Sequence, residues 1–303
     1  MTWESVRILT NEGEQANAIA PLIVSAGRST DIPAFMAPWL MKRLDNGYAE
    51  WRNPFNGNRQ LVAFNRLRVI IFWSKNPLPL TPYIQVLEEK RIKFYLHFTL
   101  NDYEREGLEP SLPLLGERID IFRRMVDSMG FGHVIWRFDP LILACGIGPE
   151  ALLERIARIA SRLGGYTEKL VFSFADLGCY RGVRARMARL GAPWRDFEPA
   201  DIEIIGKGIG EICRARDIEA ATCAEEVDLS RFGIEHNSCV DRRLLSRLFT
   251  SDEVLMRFIS ACRTRDSGQR KHCGCIPSKD IGRYGSCGYS CAYCYARGGG
   301  RQP

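Results

Sequence analysis

The sequence predicts an α/β fold: a TIM-type (β/α) barrel, partial or complete, of six to eight parallel strands, followed by a cysteine-rich C-terminal tail. Three observations carry the expectation. Short apolar runs show no polar alternation, as strands buried on both faces require. Helical patterns separate those runs, which is the alternation that builds a parallel sheet. Nearly every run ends in polar residues able to bind ligands, as when loops at the C-terminal rim of a barrel assemble one site. An open doubly wound sheet is the competing architecture, and the polar strand ends favour the barrel.

Residues 21–27 (PLIVSAG) form the first strand, and the polar turn Arg28-Ser29-Thr30-Asp31-Ile32-Pro33 leads into a helix over 34–44. Within 48–65, Asn56-Gly57 between strand-like flanks marks a hairpin insertion. The run 69–74 is a buried strand closed by Lys75-Asn76-Pro77, and a helix follows over 81–91. The alternation continues with strand 93–100, helix 115–129, strand 133–138, helix 149–163 and strand 169–176. Then come an arginine-rich helix over 181–189, a helix over 199–216, a sixth strand over 218–223, and short helices near 242–249 and 252–262. The hairpin, or the segment near Phe232, would raise the strand count toward eight.

Two units follow from this order: a barrel over 1–263, and a tail over 264–303, rich in Gly, Cys, Ser and Arg, packed on the barrel mouth. Without a metal such a tail has little to fold around. Apolar residues at 46% and charged residues at 26% are ordinary globular usage, which excludes wholesale disorder. The net charge of +6 is a modest excess, carried by arginine because only eight residues are lysine, and it is weak evidence for a nucleic-acid partner. No apolar run reaches membrane-spanning length, and the first five residues lack the basic-then-apolar pattern of a signal peptide. A cytoplasmic protein with no membrane partner is expected. In that reducing setting, eleven cysteines point to metal or redox use rather than disulfides.

Arg137 and Asp139 stand two apart at the end of an apolar strand, so both point to one side and suit a charged substrate or cofactor group. A plain ion pair gives the same pattern. Arg28 with Asp31 reads the same way, and these four are the candidate catalytic residues. Lys75, Asn76 and Ser173 at further strand ends are candidate cofactor contacts, and Thr99, Asn101, Asp176 and Glu225 complete the rim. His97 and His133 lie in strand-like runs and read as core groups, whereas His236 and His272 adjoin candidate ligand cysteines. Gly206-Lys207-Gly208-Ile209-Gly210 lacks a preceding strand and is a weak nucleotide loop. Arg181, Arg184, Arg186 and Arg189 read as a solvated helix face.

The cysteines carry the chemistry. Cys287, Cys291 and Cys294 form a C-x3-C-x2-C run, three soft ligands on one short loop. A cubane held by three cysteines keeps one iron open for a small molecule, whereas fully protein-ligated clusters use four. Cys291 and Cys294 alone also fit tetrahedral zinc, but no second C-x2-C knuckle exists to complete such a site. Cys273 and Cys275, with Cys223 and Cys239 at two further turns, could make a closed second site, either a cluster or a zinc. Cys145, Cys179, Cys213 and Cys262 read as packing residues.

The segment Cys287-Gly288-Tyr289-Ser290-Cys291-Ala292-Tyr293-Cys294-Tyr295-Ala296-Arg297 resembles the signature of the radical S-adenosylmethionine superfamily, and in particular its photolyase-like branch. The resemblance implies a [4Fe-4S] cluster whose free iron binds S-adenosylmethionine, with Tyr293 shielding it. It further implies an electron donor such as a flavodoxin or ferredoxin, and a small-molecule or nucleic-acid substrate. In that superfamily the cysteine loop usually follows the first strand. Here it arrives from the other end of the chain, and no Gly-Gly-Glu-like segment accompanies it. The alternative reading is a nucleic-acid-binding or repair-associated protein with a structural zinc or closed cluster. Arg28-Ser29-Thr30-Asp31-Ile32-Pro33-Ala34-Phe35, Arg52-Asn53-Pro54-Phe55-Asn56, Phe72-Trp73-Ser74-Lys75-Asn76-Pro77, Trp136-Arg137-Phe138-Asp139-Pro140 and the tail from Gln269 to Cys287 together resemble the domain of unknown function 1848 family. That resemblance implies that Cys223, Cys239, Cys273 and Cys275 belong to one shared pattern.

Overall fold

A computed structural model describes residues 3–54 and 56–297; residues 298–303 of the expected tail lie outside the described residues. Eight parallel strands make the central sheet: β1 (Ile23–Ala26), β2 (Val69–Ser74), β3 (Lys93–Thr99), β4 (Val134–Leu141), β5 (Lys169–Phe174), β6 (Glu219–Cys223), β7 (Ile234–Asn237) and β8 (Lys279–Asp280). Their spatial order is β7-β6-β5-β4-β3-β2-β1-β8. The first seven therefore neighbour one another in chain order, and the last joins beside the first. The six strands expected from the apolar runs are all present.

The sheet is open. Among the described residues β7 and β8 do not pair, so the closed form of the expected barrel is not found. Residues adjoining the two edges meet at the seam instead, where Ile276 N donates to Val240 O at 3.1 Å. β7 and β8 had little signal in the sequence because His236 and Glu235, like Lys279 and Asp280, are polar and their runs span only four and two residues.

Side chains alternate across the sheet with the strand period of two, and both faces are buried. Val24, Ile70, Phe72, Leu96, Phe98, Trp136, Phe138, Leu170 and Phe172 pack toward the helices. Ile23, Val69, Ile71, Tyr95, Ile135 and Val171 point the other way, against residues 239–276. Helices α1 (Ile32–Phe35), α2 (Ala37–Asn46), α3 (Ile84–Glu89), α4 (Leu115–Met129), α5 (Pro149–Leu163), α6 (Arg181–Arg189), α7 (Pro199–Arg214), α8 (Arg242–Leu248) and α9 (Glu253–Ala261) complete the layers. The single helix expected over 34–44 is broken at Met36, and the start of the next becomes a 3-10 turn, Leu78–Tyr83, where Pro79 and Pro82 supply no N–H donors. The glycine string lies inside α7. A Cβ on Gly210 would sit 2.4 Å from Phe232 O, so that glycine allows close packing rather than phosphate binding.

A separate four-stranded sheet holds the expected hairpin, Tyr48–Arg52 against Arg59–Ala63, beside Ser5–Leu9 and Gln15–Ile19. No helix among the described residues is long and apolar enough to cross a membrane.

The tail is part of the main sheet. Lys279 registers with Val24 and Asp280 with Ser25. Buried polar contacts lock that pairing: Ser25 Oγ lies 2.6 Å from Ser278 Oγ, and Ser29 Oγ donates to Asp280 Oδ2 at 2.7 Å. The Lys279 ammonium sits 3.2 Å above the Trp51 ring and reaches across to the smaller sheet. Burial pulls its pKa down to about 8 from an unfolded value of 10.5. Between those values the unfolded chain binds more protons than the folded one, so this lysine's contribution to stability rises with pH through that window. The urea midpoint of the wild type should therefore gain on that of Lys279→Met from about pH 8 to about pH 10.5. A difference independent of pH would contradict this.

Candidate functional site

Because all eight strands run parallel, their C-terminal ends and following loops share one edge of the sheet. The tail leaves β8 at that edge and folds over it. Ser286 Oγ donates to Thr30 Oγ1 at 2.9 Å, Ala292 N donates to Leu108 O at 2.9 Å, and the Tyr289 ring lies 4.6 Å from that of Phe35. Arg186 of α6 binds the carbonyls of Ala292, Cys294 and Arg297. Thus Arg186, expected on a solvated face, pins the cysteine loop instead. Seven cysteines are brought to this edge in two groups.

The first group is Cys287, Cys291 and Cys294 on the loop. Cys291 is buried and the other two half-buried. Burial pushes the Cys291 thiol up to about 12, against the pull of the Lys75 ammonium. Burial also raises Cys287, while backbone N–H groups of Tyr289 and Asp31 favour its thiolate.

Behind Cys291 lies a polar network enclosed by apolar side chains. Lys75 Nζ donates to Glu109 Oε1 at 2.6 Å and to Tyr293 OH at 2.9 Å. Asn101 Nδ2 donates to Tyr293 OH at 3.1 Å, and Tyr293 in turn donates to Glu109. Arg118 is wholly buried, with Nη2 on Asn101 O at 2.9 Å and Nη1 3.9 Å from Glu109 Oε2. Those last two atoms have no hydrogen-bond partner. Burial alone would raise the Glu109 carboxyl, but Lys75 and Arg118 hold it below its ordinary value. Burial likewise opposes charge on Lys75, and Glu109 overrides it, so the lysine pKa is raised.

The second group is Cys223, Cys239, Cys273 and Cys275. Cys223 ends β6, Cys239 lies just past β7, and the other two precede β8. Cys223 Sγ is 3.5 Å from Cys239 Sγ. Cys275 contacts both Cys239 and Cys273, and its sulfur accepts the backbone N–H of Cys239 at 3.1 Å and of Val240 at 3.2 Å. Arg137 Nη1 donates to Cys239 Sγ at 2.9 Å, while its other nitrogens grip Asp139, which also receives Ser173 Oγ. The Cys239 carbonyl accepts from Tyr95 OH at 2.5 Å and lies 2.8 Å from His97 Nε2. No group of three or more His, Cys, Asp or Glu side chains among the described residues stands at metal-holding geometry. In the second group the sulfur contacts run from Cys223 to Cys239, and from Cys275 to Cys239 and Cys273.

The strand-end residues meet different fates. Arg137 and Asp139 form the ion pair that their shared side allowed, Ser173 of the neighbouring strand joins it, and Arg137 reaches the second cysteine group. Arg28 and Asp31 do not pair. Arg28 Nη1 binds Asp266 Oδ2 at 2.9 Å, and its guanidinium lies 5.4 Å above the Trp73 ring. Asp31 caps α1 through Ala34 N at 3.0 Å and accepts Lys75 N at 2.8 Å, and burial lifts its pKa to about 6. Both carboxylate oxygens of Asp31 are thus engaged by backbone N–H groups. Asn76 Oδ1 caps the turn at Leu78 N, 3.2 Å away. His236 Nδ1 lies 3.2 Å from Thr222 Oγ1, and His272 sits 3.7 Å from Glu226. Cys179 is exposed rather than packed, while Cys213 and Cys262 are buried as expected. Glu109, Arg118 and Asp266 escaped the sequence reading. Glu109 lies in a loop without a motif, and a single carboxylate before proline carries no signal.

The pattern of a family described as domain of unknown function (DUF1848) matches residues 23–296. No curated protein matches the chain. Among solved structures, a chain titled "putative alpha-L-fucosidase" from Bacteroides thetaiotaomicron VPI-5482 is similar at 12% identity, over 75% of this chain and 79% of that one. Its TM-score of 0.29 supports no inference about fold or activity.

Glu109→Ala would leave Lys75 and Arg118 as buried cations without their counter-charge, at a cost of about 3–5 kcal/mol. Denaturant unfolding should show that loss, and Lys75→Met combined with Glu109→Leu should cost less than the two single changes added together. A loss below about 1 kcal/mol for Glu109→Ala would refute the network's role.

Proposed function

The chain belongs to the DUF1848 family, whose description assigns no activity, and from its site we propose an iron-sulfur enzyme of the radical S-adenosylmethionine type. The observation that supports this reading is the position of β8. The superfamily that the cysteine loop resembles usually sets that loop after the first strand of its sheet. Here the loop follows an edge strand that pairs in parallel with β1. With the chain's end placed before its beginning, the order β8-β1-β2-β3-β4-β5-β6-β7 becomes sequential. In that order the loop follows the first strand, a likeness that supports the reading although the strand comes last in the sequence.

Cys287, Cys291 and Cys294 would hold a [4Fe-4S] cluster, and their donor set of three thiols suits a cubane with one open iron. When bound, the cluster supplies one electron for the reductive cleavage of S-adenosylmethionine and hydrogen abstraction from a substrate. The chain's own residues bind, orient and exclude water. Lys75 and Glu109 are the charged groups that Cys291 feels most strongly. Paired with each other at 2.6 Å, they set the electrostatic surroundings of that thiol from behind the loop. Tyr293, hydrogen-bonded to both, fixes their positions and closes the network from solvent. Arg137, Asp139 and Ser173 present a further polar cluster at the same edge for a small-molecule or nucleic-acid substrate. Eleven free thiols fit a reducing, cytoplasmic setting, where a flavodoxin or ferredoxin would supply the electron.

Anaerobic reconstitution should yield about four irons and four sulfides on the loop cysteines, lost in Cys291→Ala. S-adenosylmethionine should perturb the cluster's spectrum, and a reductant should release 5'-deoxyadenosine. Protein that takes up no iron, or a spectrum indifferent to S-adenosylmethionine, would defeat the proposal.

A further inference from the structure

The second cysteine group lies where the sheet fails to close. β7 and β8 are its two free edges. Cys239 follows β7 by two residues, Cys275 precedes β8 by four, and Cys223 ends the neighbouring β6. One backbone hydrogen bond, Ile276 N to Val240 O at 3.1 Å, spans this seam. Gly274 allows the approach, since a Cβ there would lie 2.6 Å from Ser238 Oγ. Four thiols from three chain segments thus meet at the point where strand pairing stops.

We propose that Cys223, Cys239, Cys273 and Cys275 bind one zinc ion, and that this closed tetrathiolate site staples the two edges of the sheet. The proposal is independent of the function assigned to the C-x3-C-x2-C loop. The one sulfur pair in contact favours a single tetrahedral ion over a cubane. Tetrahedral zinc with metal-sulfur bonds of about 2.3 Å places its sulfurs about 3.8 Å apart. Cys223 Sγ and Cys239 Sγ stand 3.5 Å apart, so side-chain rotations that spread the contacting thiols slightly would complete that pair. A cubane sets its cysteines on separate irons at its corners and would force the four sulfurs much farther apart.

The surroundings suit a zinc with four thiolates, which carries two negative charges. Two backbone N–H groups already point at Cys275 Sγ, and the Arg137 guanidinium donates to Cys239 Sγ. Arg270 Nη2 reaches Cys223 O at 3.5 Å, and Arg28 lies close enough to Cys275 to feel its charge. Such donors orient and stabilise metal-bound thiolates from outside the ligand set. The four side chains leave no ligand position free, which marks a structural rather than a catalytic zinc.

The test is metal analysis of full-length protein purified without oxygen. Wild type should hold about one zinc per chain, Cys291→Ala should retain it, and Cys239→Ser with Cys275→Ser should drop to about a tenth or less. Because that double variant loses two buried contacts and is liable to misfold, X-ray absorption at the zinc edge of the wild type gives a second reading. Four sulfurs at about 2.3 Å, with no nitrogen or oxygen, are expected. Zinc-free wild type, iron and sulfide on these four cysteines, or a disulfide between Cys223 and Cys239 would each overturn the zinc site. None of those results bears on the loop cysteines, whose cluster is read by iron content in the same samples.

Discussion

The pairing of a two-residue strand near the C-terminus with the first strand of the sheet is the constraint on which the site depends. Backbone pairing of Lys279 and Asp280 with Val24 and Ser25 is a small contact for so large a consequence. Side chains reinforce it: Ser278 on Ser25, Asp280 on Ser29 and Asp266 on Arg28 are polar contacts in largely buried surroundings. A buried hydrogen bond contributes about 1 kcal/mol when made, and leaving one partner alone costs more, so these contacts discriminate strongly against a displaced tail. All three loop cysteines and two of the other four arrive with this segment.

Much of the scaffold was legible in the sequence because its strands are buried on both faces. Continuous apolar runs such as Val69-Ile70-Ile71-Phe72 have no other economical use, and helices α4, α5 and α6 begin and end where the pattern placed them. The edge strands were not legible. They are short and polar, and they exist because the tail and the cysteine turns hold them. Helix α1 was misjudged as the start of a longer helix, since Met36 breaks the run without any glycine to announce it.

The site divides in the same way. Strand ends announced Arg137 and Asp139, because residues two apart on a strand share a side, and Ser173 at the end of the neighbouring strand. Partners from distant segments left no mark. Lys75 meets Glu109 34 residues on, and Arg28 meets Asp266 238 residues on, contacts that only the fold creates. Cysteine spacing gave the loop, yet the convergence of Cys223 and Cys239 with Cys273 and Cys275 needed the strand order. The two thiol groups sit in different electrostatic settings: one is backed by the Lys75 and Glu109 network, the other is ringed by arginines.

Hydrogen exchange on the intact protein tests the central claim most directly, because it reads the tail's attachment without altering any ligand. Ile281 N donates to Ser25 O at 3.2 Å. The account predicts that the Ile281 amide exchanges as slowly as those of β1, opening only with the sheet. Exchange at the rate of an unstructured chain in the tail, with β1 still protected, would show that the segment does not belong to the sheet and would remove the foundation of both metal assignments.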